Sequence, residues 1–197
     1  MRFAYYDDLS PAQKKVYRAS DAIAEVPLPR PRPLQPLAAA LERALAKDDV
    51  ARVTAAAQRL AAGITTALAA PPVEIEVLAV RPRWDTAELH GLYTQETGRT
   101  ARIQIWMRTA HHRRVVAFRT LLRTLLHELC HHLDLHHFQL KESLHTEGFF
   151  KRESSLFHQL VPQVARAAKT KTASKVKNER DEMRSARAAK KRPGSRA

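Results

Sequence analysis

The residues best suited to chemistry are two histidines and a glutamate in the run HELCH at positions 127–131. In an α-helix, residues four apart lie about 40° apart around the axis and one turn apart along it, so His127 and His131 share a face. Two imidazoles so arranged can reach one zinc ion at about 2.0–2.1 Å. Glu128 projects about 100° from His127, where its carboxylate can accept a proton from a metal-activated water. The spacing therefore indicates metal-assisted hydrolysis, with Glu128 as the general base.

An apolar stripe indicates that this motif lies within a long amphipathic helix, over about residues 112–136. Large apolar side chains recur there at three- and four-residue steps. They are Val115, Phe118, Leu122, Leu125, Leu126, Leu129 and Leu133. On a helical wheel the leucines centre about 200° from His127. One face therefore anchors the helix, and the other presents the motif, with Thr120 and Thr124, to a cleft.

A catalytic zinc site takes three protein ligands, so the motif needs one more. His132 and His136 project about 140° and 180° away from His127, which directs them elsewhere. Glu142 lies in the segment after the helix, and His145 follows a turn, where the chain can fold back over the site. On spacing alone the open candidates are His137, Glu142, His145 and Glu147.

Two neighbours of the ligands have competing interpretations. Cys130 is a candidate fourth ligand or redox switch, but a small buried apolar residue is the favoured reading. Asp134 is three residues after His131. It either orients the His131 ring from behind or is a solvated carboxylate, and the sequence leaves both open.

Residues 1–70 are predicted to form a helical extension. Ser10 and the proline after it are typical of a helix start, and we expect a helix over residues 11–23. A proline-rich strap over residues 27–36 cannot continue a helix or a central strand. The alanine- and leucine-rich residues 34–70 then predict a helical hairpin, broken at an aspartate pair that can cap its second helix.

Residues 71–168 are predicted to form an α+β domain. Apolar alternation and turn signals predict three strands, over residues 73–80, 89–94 and 102–107. We expect a small, mainly antiparallel three-stranded sheet, packed on the motif helix and on a following helix over residues 146–168. The exposed edge of the third strand is the expected docking edge for an extended peptide.

Positive charge is concentrated at the end of the chain. Lys and Arg exceed Asp and Glu by 34 to 20 over 197 residues, a net charge of +14. Residues 169–197 alone hold 11 basic and 3 acidic residues, or +8, and few large apolar ones. We expect a disordered basic tail that binds nucleic acid without reading its sequence. Solvated charge that aids solubility is the alternative.

Composition bears on the compartment. One cysteine excludes a disulfide framework and a Cys-rich zinc module. The chain carries no apolar core of signal-peptide type and no run of about 18 apolar residues. We therefore expect a cytoplasmic protein that does not enter membranes.

The motif and the segment after it resemble the SprT-like family of small zinc metallopeptidases. In that family an HExxH helix is followed by a third histidine in a short H-x-x-x-F segment that opens the next helix. Here HTEGF at residues 145–149 follows HELCH after thirteen residues. Leu92-Tyr93 and the IQI run at 103–105 also resemble the family's strands before the active-site helix. The resemblance covers about residues 73–160.

This resemblance implies a minimal zincin-like fold and a peptide-hydrolysing activity on a protein or peptide substrate. The zinc ligands it implies are His127, His131 and His145, with Glu128 as general base and Phe149 packing against the His145 loop. The family often carries a further nucleic-acid module, and proteins associated with DNA are an expected substrate class.

Two other functions remain as alternatives to the zinc metallopeptidase. One is a non-catalytic nucleic-acid-binding protein in which zinc only ties two helices together. The other is a metal-free helical interaction protein with a fortuitous motif. The three functions differ in whether the protein binds zinc and in whether replacement of Glu128 abolishes proteolysis.

Overall fold

The computed structural model of the chain describes residues 3–82 and 89–162, so the predicted basic tail lies outside the described residues. The described residues up to Leu160 belong to one compact unit. None of the helices in the described ranges is long and apolar enough to cross a membrane. The elements are α1 (Pro11–Asp21), α2 (Gln35–Leu45), α3 (Val50–Ala67), β1 (Val73–Val80), β2 (Gly91–Thr94), β3 (Ala101–Arg108), α4 (Phe118–His136) and α5 (Glu147–Leu160).

Side-chain caps begin α1 and α3 as the sequence predicts. Ser10 Oγ accepts the N–H of Gln13 at 3.2 Å, and the Gln13 side chain accepts the N–H of Ser10 at 3.2 Å. This reciprocal pair satisfies two backbone donors that the first helical turn leaves unpaired. Asp49 Oδ1 accepts the N–H of Arg52 at 3.1 Å at the start of α3. The predicted helical hairpin is α2 followed by α3.

The proline-rich segment before α2 lies along α5. Gln159 of α5 accepts the N–H of Leu28 at 3.0 Å and donates to the carbonyl of Val26 at 2.8 Å. The backbone N–H and C=O groups of this extended segment thus pair with the side chain of a helix residue instead of with a strand. The strap is shorter than the predicted residues 27–36, because the 3₁₀ turn Arg32–Leu34 leads directly into α2.

The three strands form a mixed sheet in the order β1-β3-β2, so the expectation of a mainly antiparallel sheet is wrong. β2 and β3 form the predicted antiparallel hairpin, with Tyr93 opposite Ile103. β1 pairs in parallel with the other side of β3, with Ile75 opposite Ile103. β3 is the most buried strand, and it lies at the centre of the sheet. β1 therefore pairs with β3 rather than with β2, and this pairing, the longer of the two, is parallel. β3 therefore has no free edge, and the docking edge expected there is also wrong.

The core lies between the sheet and the helices on one of its faces. α3 packs against β1, and α4 packs against β2 and β3. The opposite face carries polar pairs such as Gln104 and Glu76, joined by a hydrogen bond of 2.7 Å. The sheet residues buried against the helices are Val73, Ile75, Val77, Ala101, Ile103, Ile105 and Met107. The sheet thus supports α4 from one side.

The bounds of the two long helices differ from those predicted. α4 begins at Phe118 rather than near residue 112, because Val115 bridges to Arg108 beside the end of β3. β-branched valines favour pairing beside a strand. α5 ends at Leu160, and Val161 after it precedes a proline, which disfavours helical backbone at that position. Residues 163–168 of the predicted second helix lie outside the described residues. The HELCH motif still lies well inside α4.

A buried ion pair ties the helices together. Arg152 and Asp134 are both 0 % exposed, and Arg152 Nη2 lies 2.8 Å from Asp134 Oδ1. Arg152 Nη1 also donates to the carbonyls of Ser20 and Ile23, each at 2.6 Å. Because a buried charge is costly unless it is paired, this arginine fixes α5, α4 and the end of α1 at one point.

We predict that Arg152→Met lowers the free energy of unfolding by about 3–5 kcal/mol, because Asp134 would remain buried without its counter-charge. Denaturation by guanidinium, followed by circular dichroism, measures this loss. The control is Arg52→Gln, which breaks the exposed pair with Asp49 and should cost less than about 1 kcal/mol. Equal losses in the two variants would contradict the assigned role of the buried pair.

Candidate metal centre

Helix α4 and the segment before α5 bring three imidazoles together. His127 and His131 lie one turn apart on α4, and His145 lies two residues before α5. Nε2 of His145 is 2.9 Å from Nε2 of His127 and 3.1 Å from Nε2 of His131. Within residues 3–82 and 89–162, these three form the one group of three or more His, Cys, Asp or Glu side chains close enough to share an ion.

This donor set fits zinc. Two zinc–nitrogen bonds of about 2.0–2.1 Å at the tetrahedral angle separate their nitrogens by about 3.3 Å, close to the separations at His145. Lone pairs that point at one another repel unless a cation lies between them. Three protein ligands leave a fourth position for water or substrate, which is the ligand number of a catalytic site.

A carboxylate on α5 orients the ring of His127. Nδ1 of His127 lies 3.4 Å from Oε2 of Glu153, and the other carboxylate oxygen of Glu153 accepts from Arg123 at 2.7 Å. The His127 ring and Arg123 together lower the pKa of Glu153 by favouring its charged form, against the effect of burial. A proton on Nδ1 facing this carboxylate leaves the Nε2 lone pair directed at the candidate metal position.

A hydroxyl and a second carboxylate orient the His131 ring. Ser143 Oγ lies 2.8 Å from Nδ1 of His131 and donates to Oδ2 of Asp134 at 2.8 Å. Because the hydroxyl proton goes to Asp134, its oxygen is free to accept the His131 Nδ1 proton. Asp134 therefore acts on His131 through Ser143, and it is a buried carboxylate rather than a solvated one.

Phe149 fills the space behind the three imidazoles. Its ring centroid lies 4.9 Å from that of His127, 4.7 Å from that of His131 and 5.1 Å from that of His145. The side chain is completely buried. It thus packs against the His145 loop, in the position that the sequence resemblance implies.

Glu128 lies beside the imidazoles, against strand β2. The N–H of Tyr93 donates to its carboxylate. A Cβ built on Gly91 would lie 2.7 Å from Cγ of Glu128, so a residue without a side chain is required for β2 to approach this closely. Burial raises the pKa of Glu128 to about 7, against the opposing effects of His127 and the Tyr93 N–H. A carboxyl group in this range can accept and return a proton near neutral pH.

Two of the imidazoles, those of His131 and His145, have lowered pKa values. Burial, with the nearby His145 and His127 rings adding to its effect, lowers the pKa of His131 to about 3. Burial also lowers the pKa of His145, with His127 adding to the effect. Neutral imidazole is the form that binds metal.

A cavity of about 690 Å³ opens onto this cluster. Strand β2 and the residues before it form one wall, and α4 and α5 contribute Arg123, Thr124 and Glu153. The three histidines and Glu128 all line the same cavity, so a ligand that enters it meets the candidate metal position and the carboxylate together.

The other candidate ligands point elsewhere. His137 Nδ1 lies 2.9 Å from the carbonyl of Leu68. Glu142 accepts from Gln13 at 3.1 Å, and Glu147 pairs with Lys151 at 2.8 Å. The remaining neighbours also lie outside the cluster: His132 bonds Pro71 and Tyr93, His136 bonds Gln95, and Cys130 is buried as the favoured reading predicts.

Four residues of the site were missed by sequence reasoning. Glu153 follows Phe149 by four residues and so shares its face of α5, a signal that could have identified it. The others depend on contacts between elements distant in sequence, for which no local pattern exists. They are Ser143, Gly91 and Tyr93.

We predict that Glu153→Gln weakens zinc affinity about 10–100-fold, because the His127 ring would lose the carboxylate that orients it. Competition with a chromogenic chelator measures the affinity. Glu147→Gln is the matched control on the same helix, since its partner is Lys151, and it should bind zinc like the wild type. Wild-type affinity in Glu153→Gln would contradict the orienting role.

Comparison with known proteins assigns no family to the chain. No protein-family model matches it, and searches of the curated proteins and of the solved structures returned no match. The arrangement of His127, His131, His145 and Glu128 is therefore the basis on which a function can be inferred.

Proposed function

We propose that this protein is a zinc-dependent metallopeptidase, the activity that the sequence resemblance to the SprT-like family implies. The observation that carries the proposal is the convergence of three imidazole nitrogens beside the buried carboxylate of Glu128. Both lie on one cavity that is open to a substrate. A metal position, a base and an opening in one place are what metal-assisted hydrolysis requires.

His127, His131 and His145 hold the ion, and Glu153 and Ser143 keep two of the rings in the binding orientation. When bound by three neutral imidazoles, zinc supplies a +2 charge that polarises a carbonyl and lowers the pKa of a water molecule to about 7. The ligands contribute no negative charge, so the full charge acts on the substrate.

Glu128 is the proposed general base. It takes a proton from the attacking water and returns it to the amine that leaves when the peptide bond breaks. Its contact with the Tyr93 N–H and with Gly91 keeps the carboxylate beside β2 and facing the cavity. Burial brings its pKa close to 7 in the absence of a cation, and a nearby cation favours the ionised form that accepts the proton.

The outer edge of β2 is the proposed docking edge for the peptide, in place of β3. Among the described strands β2 pairs only with β3, and residues 91–93 line the cavity. An extended segment can add to such an edge through backbone hydrogen bonds. Binding of this kind depends little on side chains, so the proposed substrates are unfolded or flexible protein segments.

We predict that Glu128→Gln retains about one zinc per chain and loses casein proteolysis by a factor of about 10²–10⁴, because only the proton acceptor is removed. His145→Ala should lose both zinc and activity. The control is His136→Ala, which removes a histidine that bonds Gln95 outside the cluster and should keep both. Zinc content by elemental analysis and proteolysis by fluorescent casein are measured on the same preparations.

Two results would reject the metallopeptidase. Wild-type protein that holds about one zinc per chain but cleaves casein no faster than Glu128→Gln would favour a non-catalytic zinc-stabilised nucleic-acid-binding protein. Less than about 0.2 zinc per chain after reconstitution would favour a metal-free interaction protein.

Nucleic-acid association through the basic tail is a separate proposal, supported by the +8 charge of residues 169–197. It would direct the peptidase to proteins attached to or near DNA. We predict that deletion of residues 169–197 weakens DNA binding and flattens its dependence on salt, because fewer counterions are released. Fluorescence anisotropy at several salt concentrations measures the slope. An unchanged slope would remove the tail from the account.

A further inference from the structure

The third ligand is held differently from the other two. His127 and His131 are one turn apart on α4, so the helix itself sets their spacing. His145 lies on the segment between α4 and α5, residues 137–146, which has no regular secondary structure to fix it. Its position must therefore come from contacts with another part of the chain.

α4 holds the segment through the hydrogen bond of Ser143 to Asp134, and further contacts come from the N-terminal residues. The Tyr5 hydroxyl donates to the backbone carbonyl of His145 at 2.6 Å. Gln13 Nε2 donates to Glu142 at 3.1 Å, three residues before His145. The hydrogen bonds thus reach the ligand itself and the residues on its N-terminal side.

The residues just after His145 are held by the end of α1. Ser20 Oγ and Thr146 Oγ1 share a buried hydrogen bond of 3.2 Å. Asp21 Oδ1 accepts the N–H of Gly148 at 2.9 Å. A Cβ on Gly148 would lie 2.6 Å from the carbonyl oxygen of Asp21, so the two backbones are in direct contact. This contact leaves no room for the start of α5 to shift towards α1.

Arg152 connects the end of α1 to α4. It donates to the carbonyls of Ser20 and Ile23 while it pairs with Asp134, which in turn accepts from Ser143 behind His131. The end of α1 is therefore connected to both sides of the candidate metal position, through His145 and through His131.

We propose that the N-terminal segment, residues 3–23, is a structural part of the metal centre that positions His145 as the third ligand. The inference rests on the proposed metal site. It assigns a role to the helical extension, which the sequence leaves without one. Tyr5 and Asp21 are its positioning residues, and they act on the metal through His145 and Gly148.

The consequence is that metal affinity depends on residues more than 120 positions before the ligand. When the N-terminal segment is displaced, α4 still presents a pair of histidines, but the third nitrogen is no longer held beside them. The centre then has two fixed ligands in place of three. Loss of the contacts that Tyr5 and Asp21 make should therefore alter both the affinity and the coordination geometry.

The experiment uses cobalt(II) as the probe on the full chain, because its visible absorption reports coordination geometry as well as binding. Tyr5→Phe removes the hydroxyl that holds the His145 carbonyl, and we expect cobalt affinity to fall about fivefold. Tyr5→Phe combined with Asp21→Ala should lower it by about tenfold or more and change the absorption band. A thermal melt by circular dichroism verifies that each variant is folded.

The matched control is Tyr6→Phe. Tyr6 is the neighbouring tyrosine, and its hydroxyl accepts from Arg18 at 3.0 Å, a hydrogen bond within the N-terminal segment. We expect this variant to bind cobalt with wild-type affinity and spectrum. An equal loss of affinity in Tyr6→Phe and Tyr5→Phe would overturn the inference, because general loosening of the segment would then explain both.

A double-variant cycle tests whether Tyr5 acts through the ligand. The residual cobalt affinity of His145→Ala, titrated at high cobalt concentration, comes from the two α4 histidines, and in that background Tyr5→Phe should produce no further loss, since the imidazole that it positions is gone. A full additional loss would overturn the inference. Wild-type affinity in Tyr5→Phe combined with Asp21→Ala would overturn it alone and leave the metal site standing. Absence of cobalt and zinc binding in the wild type would overturn the proposed function and this inference with it.

Discussion

The candidate site depends on one constraint: three imidazole nitrogens point at one position. Their lone pairs repel one another unless a cation lies between them. The protein meets this constraint by fixing the far side of the rings. Glu153 contacts Nδ1 of His127, and Ser143 contacts Nδ1 of His131. With those atoms engaged, the Nε2 lone pairs face inwards, and a divalent cation is the simplest partner that satisfies all three.

The rest of the fold supports this constraint from different directions. The sheet holds α4 on one face, and its edge strand β2 brings Gly91 against Glu128. α5 supplies Phe149 and Glu153 from the other side of the rings. Arg152 then fixes α5 to α4 and to the end of α1. The three histidines and Glu128 therefore lie where the sheet, α5 and the end of α1 all support α4 and the segment after it.

The sequence predicted the parts of this architecture that local physics determines. The cap at Ser10, the helical hairpin and the apolar stripe of α4 all follow from propensity and periodicity, and the structure has them. The order of the strands could not be predicted, because it depends on which strand is buried at the centre. The start of α4 was predicted too early because tertiary pairing of Val115 with Arg108 overrides helical periodicity. In the site, the pair on α4 follows from spacing, whereas Ser143 and Gly91 are brought in by folds of the chain that no short pattern encodes.

The most direct test of the central claim is the anomalous scattering of zinc in crystals of the zinc-loaded protein, collected on both sides of the zinc absorption edge. We expect one strong peak per chain, about 2.0–2.1 Å from Nε2 of His127, His131 and His145. A peak bound by the two α4 histidines with His145 turned away, or no peak at this position, would contradict this claim.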